Sequence, residues 1–308
     1  IPRNRFTAFL MFKSLIRTFA IVAAFIAGYM MPGLHVYSWM FKWMLIVMLF
    51  VTFLGIRFKR MKPERAHWLL TGANLMVALA AWGVCRLVFG DGYLAQAAFF
   101  VGIMPTATAA PVVMGLLGGS VEFMLTALLL INGIICALLP FILPAVVGRG
   151  GFEIYLNVAQ NISLVMLLPL ALALAARRFY PRAIAWPRKL KDVTFGIWVV
   201  ILVLIAANAS YDISSREGIS ERVLEQIGVM ALLVCGFNFG LGYLLGGRTR
   251  AAECSQALGQ KNTTLSIYLA LTYASPIAAL GPTFYVLWHN LWNAWQLYRV
   301  SERKRRDG

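Results

Sequence analysis

The chain of 308 residues is 60% hydrophobic and only 13% charged, about half the charge of an ordinary soluble domain. Surface grows almost as fast as volume, so no water-soluble fold of this length hides that much apolar side chain, and the bilayer must serve as its solvent. A formal net charge of +16 would point to nucleic acid in a soluble protein, but here the basic residues stand in short runs between apolar stretches and no nucleic-acid partner is expected.

A helix needs about 20 apolar residues to cross the hydrocarbon core. Candidate spans fall near 14–32, 37–56, 67–89, 92–117 and 121–147, then near 152–176, 193–210, 226–247, 251–273 and 280–298. The pattern predicts an all-α polytopic membrane protein with ten transmembrane helices. The chain opens on Ile1 rather than Met, so preceding residues are expected, and no small-residue cleavage site follows the first apolar run. Cys85, Cys136, Cys235 and Cys254 are scattered without a CxxC pair and read as small buried hydrophobes.

Lysine and arginine placement supports ten spans. With the N-terminus inside, the tails and the loops around 57–65, 177–191 and 248–250 hold 22 of the 28 basic residues. Only Lys42, Arg86, Arg149, Arg216 and Arg222 fall outside, and Lys261 alone lies within a span. Both termini are therefore expected in the cytoplasm of a bacterial inner membrane. Ten spans divide into two halves, 1–147 and 148–308. Five helices per half invert the second relative to the first, as in inverted-repeat transporters.

The fourth and ninth spans would be counterparts, and they are the most polar and interrupted. In the fourth, Pro105 and Pro111 remove backbone donors on either side of Thr106 and Thr108. This is either a proline kink or unwound backbone lining a cavity. The ninth carries Gly259, Gln260, Lys261, Asn262, Thr263 and Thr264 in succession, with no aliphatic side chain. Lys261 lies about ten residues, or ~15 Å, from the cytoplasmic edge, too deep for its stem to snorkel. An ammonium there costs roughly 2.5–3.5 kcal/mol on insertion scales, which marks it as functional.

At these residues the chain resembles the bile acid:sodium symporter superfamily. Pro105 to Met114 with the Gly118-Gly119 turn is similar to the family's Pro-Gly-Gly-Thr-Ala-Ser-Asn-Val-Met segment. Gly259 to Leu265 is close to its Gly-Met-Gln-Asn-Ser-Gly-Leu, and Val286-Leu287-Trp288-His289-Asn290 to its Val-Trp-His-Asn. Gly240 to Gly246 is a supporting match. The resemblance implies that the fourth and ninth helices break and cross at the midplane. It also implies a core of spans three to five and eight to ten that shifts against a panel of spans one, two, six and seven. Family members move organic anions in this way, usually with two sodium ions.

The chain departs from the family at the sodium ligands, which fall on Ala110, Pro111, Met124, Leu128 and Ala257, with Lys261 at a glutamine position. Only the third-helix glutamine keeps an amide, at Asn74. Na⁺ wants oxygen ligands, so no sodium ion is expected. Coupling is assigned to Lys261 with Asn74 and Gln260, with Lys261 either a fixed charge standing for sodium or a titrating amine that couples protons. The substrate site is assigned to Thr106, Thr108, Asn262 and Thr263, where half-helix N-termini favour an anion. By resemblance His289 and Asn290 join it; on residue type alone His289, beside Trp288, reads as a packed structural histidine.

The expected function is secondary transport of a small organic anion, bile-acid-like, pantothenate-like or a keto acid, without sodium. A sodium-coupled symporter and a non-transporting receptor on the same fold are the alternatives. The three histidines, His35, His67 and His289, lack metal-ligand spacing and no carboxylate pair sits within a span, so an enzyme is not expected.

Overall fold

Uninterrupted apolar runs leave backbone groups only one way to be satisfied in lipid, within a helix, and the described chain is almost entirely helical. The structure, a computed structural model, describes residues 19–20, 23–56, 61–90, 92–215 and 221–306. The start of the first expected span and the basic residues Arg3, Arg5, Lys13, Arg17, Arg57, Lys59, Arg60 and Arg216 lie outside the described residues.

In chain order the helices are α1 (23–30), α2 (Met40–Leu54), α3 (Arg65–Phe89), α4 (Tyr93–Ile103), α5 (Ala110–Leu117), α6 (Val121–Val146), α7 (Phe152–Phe179), α8 (Lys191–Ser215), α9 (Glu221–Gly259), α10 (Thr263–Tyr273) and α11 (Pro276–Arg306). A 3₁₀ helix, Pro32–Tyr37, precedes α2, and two short helical turns, Pro181–Ala185 and Trp186–Lys189, join α7 to α8. Among the described residues five helices are long and apolar enough to cross a membrane: α3, α6, α7, α8 over Lys191–Tyr211, and α9. This is a helical membrane protein.

The segments outside those five have physical reasons to be short. The second expected span, 37–56, begins on the 3₁₀ turn and leaves α2 only 15 residues. The fourth is divided between α4 and α5, of 11 and 8 residues. The runs expected at 226–247 and 251–273 are the two limbs of α9, parted where the backbone leaves helical geometry at Gly247 (φ 56°) and Arg250, and the second run is broken again after Gly259, before α10.

Helix ends are set by side-chain caps where the chain turns. Glu64 and His67 form a capping box at α3, with Glu64 N–H donating to His67 Nδ1 at 2.8 Å. Ser120 Oγ accepts from Phe123 N at the start of α6 (3.2 Å). Gly118 ends α5 in the left-handed region at φ 88°, which a side chain would strain.

Close packing depends on glycine. A Cβ on Gly102 would lie 2.4 Å from Ala78 Cα, so α4 presses its backbone onto α3. A Cβ on Gly242 would lie 2.4 Å from Cys254 O, so the two limbs of α9 touch backbone to backbone. Small residues serve this purpose in lipid because apolar helices have no other reason to prefer each other to acyl chains. In this way α3, α4, α9 and α11 pack on one another, with α5, α6 and α10 around them. A second group has α2 against α7 and α8 against Pro32–Tyr37. Cys85, Cys136, Cys235 and Cys254 are buried and free, as expected of small core residues.

At the basic end, Arg250 bonds Glu64 at 2.9 Å and approaches Glu253 at 3.7 Å, and Glu253 Oε1 accepts from Ser120 N (3.1 Å). Arg250 also lies over the Phe123 ring, 5.0 Å from its centroid. The set ties the starts of α3 and α6 to the kink in α9. Being about a third exposed, the Arg250–Glu64 pair contributes at most ~1 kcal/mol.

Candidate functional site

Pro105 removes a backbone donor and disfavours helix at the residue before it, and α4 ends at Ile103 before α5 starts at Ala110 with Pro111 in its first turn. The polar run after Gly259 likewise separates α9 from α10. The two gaps meet. Thr106 and Lys261 form an antiparallel bridge, with Ala107 N donating to Gln260 O at 2.8 Å and Asn262 N donating to Pro105 O at 2.7 Å. The backbone groups freed by each break are thus satisfied by the other break, as buried amides and carbonyls require.

Side chains supply the remaining donors. Thr106 Oγ1 donates to Ala257 O (2.7 Å), and Asn132 Nδ2 donates to both Thr106 O (2.9 Å) and Leu128 O (2.7 Å). Ser266 Oγ donates to Phe100 O and the Tyr285 hydroxyl to Gly259 O, each at 2.7 Å. Asn238 Nδ2 donates in turn to Tyr285 (3.2 Å).

Lys261 is 1% exposed. Its Nζ donates to Asn74 Oδ1 and to Gly102 O (3.3 Å), while Asn74 Nδ2 donates to Ile103 O (3.1 Å). The Lys261 amine therefore sits on Gly102 O in the last turn of α4, at the negative end of that helix dipole. Its partners are an amide and a carbonyl rather than a carboxylate. After the breaks α5 and α10 begin; the first donors of α5 are already spent, Ala110 N on Ala107 O (3.1 Å) and Val112 N on Ala109 O (3.0 Å), and Pro111 has none.

The structure gathers Asn74, Thr106, Gln260, Lys261, Asn262 and Thr263 around one crossing. Thr106 is wholly buried, and its hydroxyl holds Ala257 O rather than facing open space. Thr108 is half-buried in the turn before α5, beside exposed Ala109. Asn262 caps α10 through Oδ1, accepting from Leu265 N (3.3 Å), and its buried Nδ2 has no protein partner. Gln260 Oε1 is likewise unpartnered, and Thr263 is buried at the first position of α10. His289 stands farther off, buried edge-on against Tyr285 at 5.6 Å, with Nδ1 unpartnered. Asn290 turns its amide to its own helix at Val286 O (2.7 Å).

The positions read as lost sodium ligands, Ala110, Pro111, Met124, Leu128 and Ala257, are all buried. The carbonyls of Leu128 and Ala257 already accept from Asn132 and Thr106. Sequence reasoning overlooked Asn132, Asn238, Ser266 and Tyr285. Asn132 and Asn238 left a signal, since each is a lone amide inside an apolar span. Ser266 and Tyr285 left none.

Two further features lie between the helix groups. At the basic end a cleft of about 530 Å³ opens between the start of α6, at Val121 and Leu125, and the α7–α8 connection at Ile184 and Pro187. At the opposite end Lys42 Nζ donates to Asn161 Oδ1 (3.0 Å), and Asn161 Nδ2 donates to the Tyr273 hydroxyl (2.9 Å), which donates to Asn157 O (3.3 Å). These bonds join α2, α7 and α10 and fasten that end. Compared with models of known protein families the chain matches none, and no curated protein matches it either.

Proposed function

We propose that this protein is a secondary transporter of a small organic anion, in which Lys261 replaces a free coupling sodium ion. The observation that carries the reading is the crossing itself, two broken helices paired at Thr106 and Lys261 with a buried ammonium on the C-terminal carbonyls of α4. Broken helices are costly in lipid and recur where a solute binds at mid-depth. The cation neutralises the C-terminal side, which leaves the start of α10 with the free Asn262 amide, and the Thr108 hydroxyl, to receive negative charge.

In this account α4 with α5, and the second limb of α9 with α10, each make one interrupted span, so the helices form ten crossings in two inverted halves. Spans three to five and eight to ten are the core, and spans one, two, six and seven the panel. The cleft at the basic end and the Lys42–Asn161–Tyr273 connection at the other are what a cytoplasm-facing state of such a transporter requires. Cysteine scanning tests the topology. A reagent that cannot cross the membrane is expected to label Ser215→Cys in intact cells but not Lys189→Cys, and labelling of the latter rejects ten crossings.

A thermal-shift screen of organic anions at several sodium concentrations and pH values tests the function, because a ligand that binds only the folded state raises its melting temperature. Once a ligand is found, Asn262→Ala and Thr108→Ala are each expected to weaken its binding by about 5–30-fold, the effect of removing one hydrogen bond worth roughly 1–2 kcal/mol. Isothermal titration measures it. Unchanged affinity in both variants removes the solute from the crossing.

A further inference from the structure

Outside the crossing, the second cavity lies on the outer face of α2 and α7, near their basic ends. It is a groove of about 460 Å³ whose lining includes Val47 and Phe50 from α2, Leu172, Ala175 and Phe179 from α7, and Trp186 from the short turn beyond. It exists because Ala175 is small where its neighbours one turn away, Leu172 and Phe179, are large, so the floor drops between two ridges. Arg177 donates to Ile56 O and pins the ends of α7 and α2 together.

We propose that this groove is a binding site for one anionic phospholipid of the surrounding bilayer, with an acyl chain in the groove and its phosphate at the α7–α8 connection. An apolar slot on the outside of a membrane helix pair already faces acyl chains, so the question is what selects the headgroup. The connection that caps the slot answers it. Arg178 directly precedes Phe179, Arg182 lies in the turn Pro181–Ala185, and Lys189 ends the turn that Trp186 begins; all three cations are exposed. Trp186 and Tyr180 lie together at 5.9 Å between ring centroids, the aromatic pair expected at headgroup depth. Clustered Lys and Arg beside a membrane helix recognise anionic headgroups by charge, and an adjoining apolar slot fixes the position that charge alone leaves diffuse.

Native mass spectrometry of the purified chain with phosphatidylglycerol or phosphatidylcholine tests this. The wild type is expected to retain phosphatidylglycerol preferentially. Removing the cations together (Arg178→Gln, Arg182→Gln, Lys189→Gln) should lower that retention by roughly fivefold per charge, without affecting phosphatidylcholine. Ala175→Phe fills the groove and should lower retention of both lipids. Equal retention of the two lipids by the wild type overturns the proposal. So does undiminished phosphatidylglycerol retention in both variants. Neither outcome depends on transport, so the lipid site and the proposed function stand or fall separately.

Discussion

Lys261→Gln is expected to leave the protein folded and to slow anion uptake about 10–100-fold. Glutamine still offers an N–H donor to Asn74 and Gly102, so the buried carbonyls at the end of α4 need not be stranded. What is lost is the charge. Hydrogen bonds to a charged group contribute roughly 1.5–3 kcal/mol, and ~1.4 kcal/mol is a factor of ten, which sets the expected range. A lone buried cation also costs free energy to desolvate, so its removal has no reason to destabilise the fold. Lys261→Arg should fail as well, because a planar guanidinium does not fit a compact site shaped around an ammonium. Uptake into proteoliposomes beside a melting curve measures both halves. Wild-type uptake by Lys261→Gln would remove the ammonium from the mechanism.

The second large effect is structural. Gly102→Val should lower the melting temperature by about 5 °C or more, while Gly83→Val on α3 should leave it nearly unchanged. At Gly102 the new Cβ meets Ala78 Cα at 2.4 Å, and backbone cannot move aside as a flexible side chain would; at Gly83 nothing lies within 4 Å. Overpacking typically costs ~1–3 kcal/mol, and here it must push α4 off α3. The same displacement moves Gly102 O, one of the two Lys261 partners, so solute binding should weaken alongside stability. Equal melting temperatures for the two variants would mean that the close approach of α3 and α4 does not hold the bundle together.

The helical class and the positions of both breaks were legible in the sequence, because each rests on strong local signals. Apolar runs of membrane length favour helix, and prolines at 105 and 111 or six residues without an aliphatic side chain after Leu258 weaken it locally. Lys261 stood out for the same reason, a charge at a depth its stem cannot escape. The pairing of the two breaks was not legible. Thr106 and Lys261 are joined by backbone hydrogen bonds, which carry no residue signature, across 155 positions of chain. Thr106 shows the consequence: its hydroxyl, read from the sequence as a solute ligand, also donates across the crossing to Ala257 O. Asn132 shows the reverse, an unremarked amide in an apolar helix that holds two carbonyls at the crossing. The kink between the limbs of α9, at Gly247 and Arg250, falls between the runs expected at 226–247 and 251–273, because a glycine beside the charged Arg248 and Arg250 interrupts the apolar pattern.

Replacement of sodium by a resident ammonium is the central claim. Its most direct test is the initial rate of uptake, for an anion identified by the thermal-shift screen, in sodium-free choline buffer over a range of pH. The account predicts that uptake by the wild type persists without sodium and falls about 10–100-fold in Lys261→Gln under the same conditions. A rate that follows an imposed proton gradient assigns Lys261 as a titrating amine, and one indifferent to it assigns a fixed charge. Uptake that vanishes in choline and returns when sodium is added would contradict the account.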